Sequence, residues 1–212
     1  VAGFDASTQY EQIKQNIGYM SQRFSLYDDM TVRENIRLFA GIYGVPRKQI
    51  VRKTEQLLSR LDFSENGDDI VASLPLGWKQ KLAFSVSIFH DPKLVFLDEP
   101  TGGANPATRR QFWELIYEAA GRGITVFVTT HYMDEAVKAD RVVVMDGGRI
   151  AMDGTPKEVF RNVEKMKKLG LDVPQATELA YRLRKKGFKL PDDILDENEC
   201  AEAILRILEV KK

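Results

Sequence analysis

The stretch LVFLDEPTGGANP, Leu94 to Pro106, places two acids directly behind an apolar run and then breaks into a glycine turn. The run KLVFL lacks polar alternation and reads as a fully apolar strand. A carboxylate left unpaired in apolar surroundings is costly, so Asp98 and Glu99 call for a cationic or protic partner. In parallel α/β sheets, ligands bind at the carboxyl ends of strands, which is where both acids stand. A second apolar run, ITVFVTT, ends at Thr130 with His131 directly after it. One arrangement that uses all three side chains is a phosphate site. Asp98 holds Mg²⁺, Glu99 orients and deprotonates a water, and His131 faces the terminal phosphate. Alone, His131 would read as a structural histidine and the acid pair as a turn cap. Their placement at the ends of two successive strands favours chemistry.

The rest of the chain sorts around this centre. Upstream, NIGYMSQ reads as a strand, and Thr31 with Glu34 forms a capping box that opens TVRENIRLFAGIYG, stopped by Gly44. A second helix, about Lys48 to Leu61, carries Ile50, Leu57, Leu58 and Leu61 at helical spacing. A third runs from about Trp78 to His90, ahead of Pro92. Downstream, Asn105-Pro106 caps the helix through RRQFWELIYEAA, and Gly121 and Gly123 end it. A short helix from about Met133 precedes VVVM and RIAM, which the turn of Asp146 to Gly148 joins as a hairpin. Apolar strands alternating with helices predict a parallel, two-sided α/β sheet. Residues 155–212 read differently, as three helices and no strand. Thr155, Pro156 and Glu158 open the first and Gly170 closes it. The second runs from Pro174 to Gly187, and a capping box of Asp196 and Glu199 opens the third.

Composition narrows the classes. The 212 residues are 43% apolar and 29% charged, as in ordinary globular domains. Lysine plus arginine equals aspartate plus glutamate at 31 each, which argues against a dedicated nucleic-acid binder. No apolar run approaches the roughly 18 residues of a spanning helix, so a membrane role would be peripheral. The single cysteine, Cys200, fits a reducing compartment and reads as a small packing residue.

LVFLDEP resembles the Walker B segment of ATP-binding cassette (ABC) ATPases, and the order of the other motifs agrees. NIGYMSQ followed by SLYDDMTVRENI resembles the Q-loop, SLPLGWKQKLAFS falls where the LSGGQ signature belongs, TGGANP occupies the D-loop, and TTH supplies the switch histidine. The resemblance covers residues 1 to about 154, with a helical subdomain at about 31–90. It implies an α/β ATPase core that binds ATP and Mg²⁺, with Gln22 sensing the metal and the attacking water. It also implies a transport subunit on the cytoplasmic face of a membrane. Such a subunit works with a membrane-embedded subunit, contacted through residues 23–74, and with a second ATPase subunit, identical or not.

The chain also departs from that pattern. No GxxxxGK[ST] occurs in it, so the loop that cradles phosphates and its lysine are missing. The chain opens on Val1 and AGFD resembles the strand and turn after that loop, so we expect an N-terminally truncated cassette. Aligning LPLGWKQ on the signature sets Pro75 at the serine, Leu76 at the first glycine and Trp78 at the glutamine, while Gly77 matches. Leu76, Gly77 and Trp78, with Asn105 in place of the D-loop aspartate, are the expected contacts to a partner's nucleotide. LPLGWKQK resembles the spelling in multidrug-exporter ATPases, whereas VEKMKKLGLDVPQATELAYRLRKKGFKLP resembles the tail of energy-coupling-factor importers. Either the chain is a mosaic joined near GTPKEVF or one resemblance is loose; the tail also reads as a solvated helical packing module. The rival function is a non-catalytic interaction module that keeps this fold without the nucleotide.

Overall fold

The computed structural model describes residues 1–23 and 26–209. Phe24 and Ser25 of the expected partner surface, and Val210 to Lys212 of the tail, lie outside the described residues. Two compact units divide the chain, residues 1–129 and 130–212.

The first unit begins with helix α1 (Tyr10–Asn16), which the sequence pattern did not mark. The strand expected at AGFD is a turn instead, with Ala2 at φ 52° and Gly3 at φ 89°, outside the extended region. Strand β1 (Ile17–Met20), helices α2 (Val32–Ile42) and α3 (Arg47–Arg60), and helix α4 (Leu76–Ser87) follow. Strand β2 (Leu94–Asp98), helix α5 (Pro106–Gly121) and strand β3 (Thr125–Thr129) complete it. The three strands pair in parallel in the order β1-β2-β3, in a register that sets Asp98 beside Thr129. The predicted capping box of Thr31 and Glu34 is present, and Asn105 caps α5 ahead of Pro106.

Helix α4 explains the architecture of this unit. Its Leu82 and Val86 enter one core with Val32, Ile36, Leu58 and Phe63. Its Ala83 and Phe84 enter another with Val95, Leu97, Phe112 and Ile116. A helix buried on two sides needs no charged stripe, and LAFSVSIF, Leu82 to Phe89, carries no charged residue. β1 passes so close to its end that a Cβ on Gly18 would lie 2.1 Å from the Ser87 carbonyl oxygen, so only glycine fits there.

The sheet itself departs from the two-sided expectation. Val95 and Leu97 are buried under α4 and α5, but Tyr19, Phe96 and Phe127 on the opposite face are 52%, 36% and 54% exposed. The run is apolar on both faces because Phe96 and Phe127 stack on each other at 5.3 Å, each shielding part of the other.

A histidine ties the helical layer to the sheet. His90 stacks on Tyr43 at 4.0 Å and 8°, and its Nε2 donates to the Ile17 carbonyl at 3.0 Å. Burial, aided by the charge of Lys53, outweighs the Ile17 carbonyl and Asp91 and holds the imidazole below its ordinary pKa. The unfolded chain therefore takes the proton more readily. The stability that His90 contributes is full above the unfolded value of about 6.5 and is lost as pH falls through the lower folded value. Urea unfolding at pH 7.5 and 5.5 should show a smaller acid loss in His90→Phe, which keeps a stacking ring but cannot titrate. An identical loss in both proteins would remove His90 as the cause.

The second unit holds helix α6 (Met133–Ala136), strands β4 (Val142–Asp146) and β5 (Arg149–Gly154), and helices α7 (Pro156–Phe160), α8 (Val163–Lys168), α9 (Gln175–Lys185) and α10 (Glu197–Glu209). β4 and β5 form the expected hairpin. Its two loop residues, Gly147 at φ 52° and Gly148 at φ 75°, have the positive φ angles of a primed turn. The hairpin's Val144 and Met152 share one core with Val159, Phe160, Val163 and Met166. The first tail helix, expected unbroken to Gly170, is two: α7 and α8. Asn162 leaves the helical region at ψ 51°, and its amide Nδ2 donates to the Glu158 carbonyl at 2.7 Å, competing with the backbone ladder. The third tail helix starts as predicted, with the Glu199 amide donating to Asp196. Glu199 reaches back to the amide of Leu195, one residue earlier than a regular box would require. Cys200 is buried in the core of α9 and α10, and burial raises its thiol pKa, in keeping with a packing role. No helix among the described residues is long and apolar enough to cross a membrane.

Candidate functional site

The site is built at the carboxyl end of β2. Asp98 closes the strand, and Glu99 turns out of it with φ 43°, a left-handed backbone for a residue with a Cβ. Such a conformation costs about 1–3 kcal/mol and persists only where its surroundings hold it. Here the holder is Thr129, at the end of β3. Its carbonyl and its Oγ1 both accept from the Glu99 amide, at 3.1 and 3.2 Å. The same hydroxyl donates to Asp98 Oδ1 at 2.6 Å. One threonine thus fixes the carboxylate of one acid and the backbone of the other. The sequence reading passed over it in favour of Thr130 and His131. What singles it out is its parallel pairing opposite Asp98, which no residue pattern in TTH marks.

Gln22 reaches this pair from the chain after β1. Its Nε2 donates to Glu99 Oε2 at 2.8 Å across 77 residues of sequence. Three expected site residues, Gln22, Asp98 and Glu99, are therefore gathered at neighbouring strand ends. The chain beyond Gln22 is tied down by Asn35, fully buried in α2, whose side chain accepts from the Tyr27 amide at 2.8 Å and donates to the Tyr27 carbonyl at 2.9 Å.

His131 is the second residue of the second unit, and its ring contacts Tyr132 with centroids 4.1 Å apart. Its turn is set by Thr130. That Oγ1 donates to the buried Glu135 at 2.8 Å and accepts from the Tyr132 amide at 3.1 Å.

The signature-like stretch starts α4. Pro75 occupies the cap position and offers no side-chain cap, while Leu76 and Gly77 supply the first helical amides, which have no partner within the helix. Trp78 stacks on Phe63 at 4.5 Å, which seats that first turn on the helical core. A Cβ on Gly77 would lie 2.8 Å from Thr108 Cγ2, so this glycine lets α4 meet the start of α5. The Asn105 side chain is engaged as the cap of α5, its Oδ1 accepting from the Thr108 amide at 2.9 Å.

No group of three or more His, Cys, Asp or Glu suited to a metal occurs among the described residues. Mg²⁺ held at a nucleotide takes one or two protein oxygens and draws the rest from phosphates and water. Asp98 and the Gln22 amide oxygen are hard donors of that type.

A family model described as "ABC transporter" matches residues 2–102. "Energy-coupling factor transporter ATP-binding protein EcfA2" of Caldanaerobacter subterraneus subsp. tengcongensis is 32% identical over 209 residues, covering 96% of this chain and 73% of that protein. Body and tail thus both fall within the length of one relative. "Probable multidrug ABC transporter ATP-binding protein YbhF" of Escherichia coli is 40% identical over 159 residues, 75% of this chain; the chain spans only 28% of that protein. A solved structure, "Structure of ATP binding subunit of ABC transporter", superposes with a TM-score of 0.67 at 24% identity, over 87% of this chain and 75% of that one, and shares its fold. The chain belongs to the ABC transporter family of ATP-binding proteins.

Proposed function

We propose that this chain is the hydrolytic portion of an ATPase subunit that powers transport through a membrane-embedded partner. The observation that carries the reading is the Gln22–Glu99 hydrogen bond at the mouth of the sheet. A general base one residue past a metal-binding acid, with an amide beside it, is the set needed to orient and deprotonate a water. Glu99 takes the proton, Gln22 holds the water in line, Asp98 and Gln22 hold Mg²⁺, and His131 contacts the terminal phosphate. When bound, Mg²⁺ neutralises charge on the phosphates. Leu76, Gly77, Trp78 and Asn105 serve the nucleotide of a second ATPase subunit, with the amides of Leu76 and Gly77 as donors. The family-like sequence runs to about residue 154, and 155–212 is a helical extension that shares the hairpin's core.

The partner surface is residues 23–74. Exposed Tyr27, Ile42, Val51 and Ile70 support this, since apolar side chains left at a surface suit a protein contact. The relatives' names offer a multidrug transporter and an energy-coupling factor transporter as models, and our reading puts the subunit at the cytoplasmic membrane face.

Pro75 has no N–H and no hydroxyl to offer a phosphate, so a homodimer would carry two weakened sites. The complete subunit purified alone should therefore turn over slowly. With its membrane partner and a second ATPase of ordinary signature, it should reach roughly 1–10³ per second. Full turnover by the homodimer would remove the asymmetry. No turnover in any assembly would favour the non-catalytic module.

A further inference from the structure

Gln80 lies in the second turn of α4 and is fully buried. Its Nε2 donates to the Gly102 carbonyl at 3.2 Å, in the loop between β2 and α5, and its Oε1 is buried with no partner. A buried amide oxygen left unpaired is unfavourable, and a methionine or leucine would fill the same space without it. Packing alone therefore does not account for a glutamine here. The donor does. Gly102 offers only an oxygen at that point, which fixes which end of the amide faces it.

The Gly102 peptide is itself a link. Its N–H donates to the Glu99 carbonyl at 3.0 Å, closing the turn that carries Glu99 out of β2 in its left-handed conformation. A Cβ on Gly102 would lie 3.3 Å from that same carbonyl, so the turn is tight. The series runs from the α4 amide to Gly102, from Gly102 to the backbone of Glu99, and from the Glu99 carboxylate to Gln22. α4 is seated beside this loop by two further contacts: Gly77 against Thr108, and Leu76 3.6 Å from where a Cβ on Gly103 would stand.

The geometry points to Gln80 as a positioning residue for Glu99. By holding the Gly102 peptide, it fixes the turn that aims the acid at its water, and it ties that aim to the seat of the signature helix. The inference rests on Glu99 acting as the base. Substrate binding need not change, because the Gln80 side chain is fully buried and reaches the Glu99 turn only through the Gly102 peptide.

The test uses the complete subunit in its transporter. Gln80→Met, which fills the space without a donor, should lower kcat roughly ten- to hundredfold, as expected for a displaced catalytic group. KM for ATP should stay within about threefold, since only the transition state is affected. Gln80→Glu supplies the readout that a packing role would not move. Ionised, it faces a carbonyl and should be as slow as Gln80→Met. Protonated, its O–H can donate to Gly102. Burial raises a carboxyl pKa, so its activity relative to wild type should climb as pH falls, at up to about tenfold per unit. Taking the ratio to wild type at each pH isolates the effect of the introduced carboxyl. The inference is overturned if Gln80→Met keeps kcat within threefold of wild type, if kcat and KM worsen together, if the two variants share one relative pH profile, or if both fail to fold. Glu99→Gln, run alongside, separates the two ideas. An inactive Glu99→Gln beside a fully active Gln80→Met sinks only the role of Gln80, whereas an active Glu99→Gln sinks the base assignment on which it rests.

Discussion

Glu99→Gln in the complete subunit should lower ATP turnover about 10²- to 10⁴-fold, the usual contribution of a positioned general base. The substitution is nearly isosteric, and it removes the carboxylate's charge together with its capacity to accept a proton. Gln22 Nε2 can still donate to the new amide's oxygen, so the 2.8 Å contact and the strained turn at φ 43° should survive. Nucleotide affinity should therefore hold while hydrolysis stops, and the variant should accumulate bound ATP. Single-turnover measurement distinguishes this from a binding defect, because a lost base slows the chemical step without raising KM. Wild-type turnover in Glu99→Gln would mean that the acid is structural and that the water is activated elsewhere.

Much of this site was legible because strand ends are legible. LVFLDEP and ITVFVTT declare themselves by apolar continuity, and the residues just past them follow from counting. The caps at Thr31, Asn105 and Thr155 were equally plain, since each depends on residues three or four apart. What escaped depends on contacts remote in sequence or on competition between local options. Thr129 matters only because β3 lies beside β2 in one register, and nothing in TTH ranks its first threonine above its second. Gln80 and Asn35 look like ordinary polar helix residues until burial shows that each donates to a loop carbonyl. α1 escaped because YEQIKQN buries one residue, Ile13, and so lacks an apolar stripe. The break at Asn162 was hidden because an asparagine inside a helical pattern can point outward or take over a carbonyl, and only the fold decides. The open sheet face was misjudged for a related reason. Apolar periodicity reports that a surface is apolar, not what covers it.

The 212-residue chain by itself should bind Mg-ATP more than about a thousandfold more weakly than a relative that carries GxxxxGK[ST]. A phosphate-cradling loop gives several backbone N–H donors and a lysine, and hydrogen bonds to charged groups contribute about 1.5–3 kcal/mol each. Losing three of these at the low end already exceeds the roughly 4 kcal/mol that a thousandfold represents. The groups that remain work against the ligand. Asp98 and Glu99 are anions at the point where the phosphates would sit, and they become attractive only through a cation between them and the nucleotide. The first amides of α4, those of Leu76 and Gly77, serve a second subunit's nucleotide in the proposed arrangement. Isothermal calorimetry of this chain against Mg-ATP should accordingly show no heat at micromolar ligand, and Mg-ADP should be no better. Micromolar affinity would mean that these 212 residues contain a phosphate cradle of another kind. Leu76→Pro, which removes one of the two free helix amides, would then show whether α4 is that cradle.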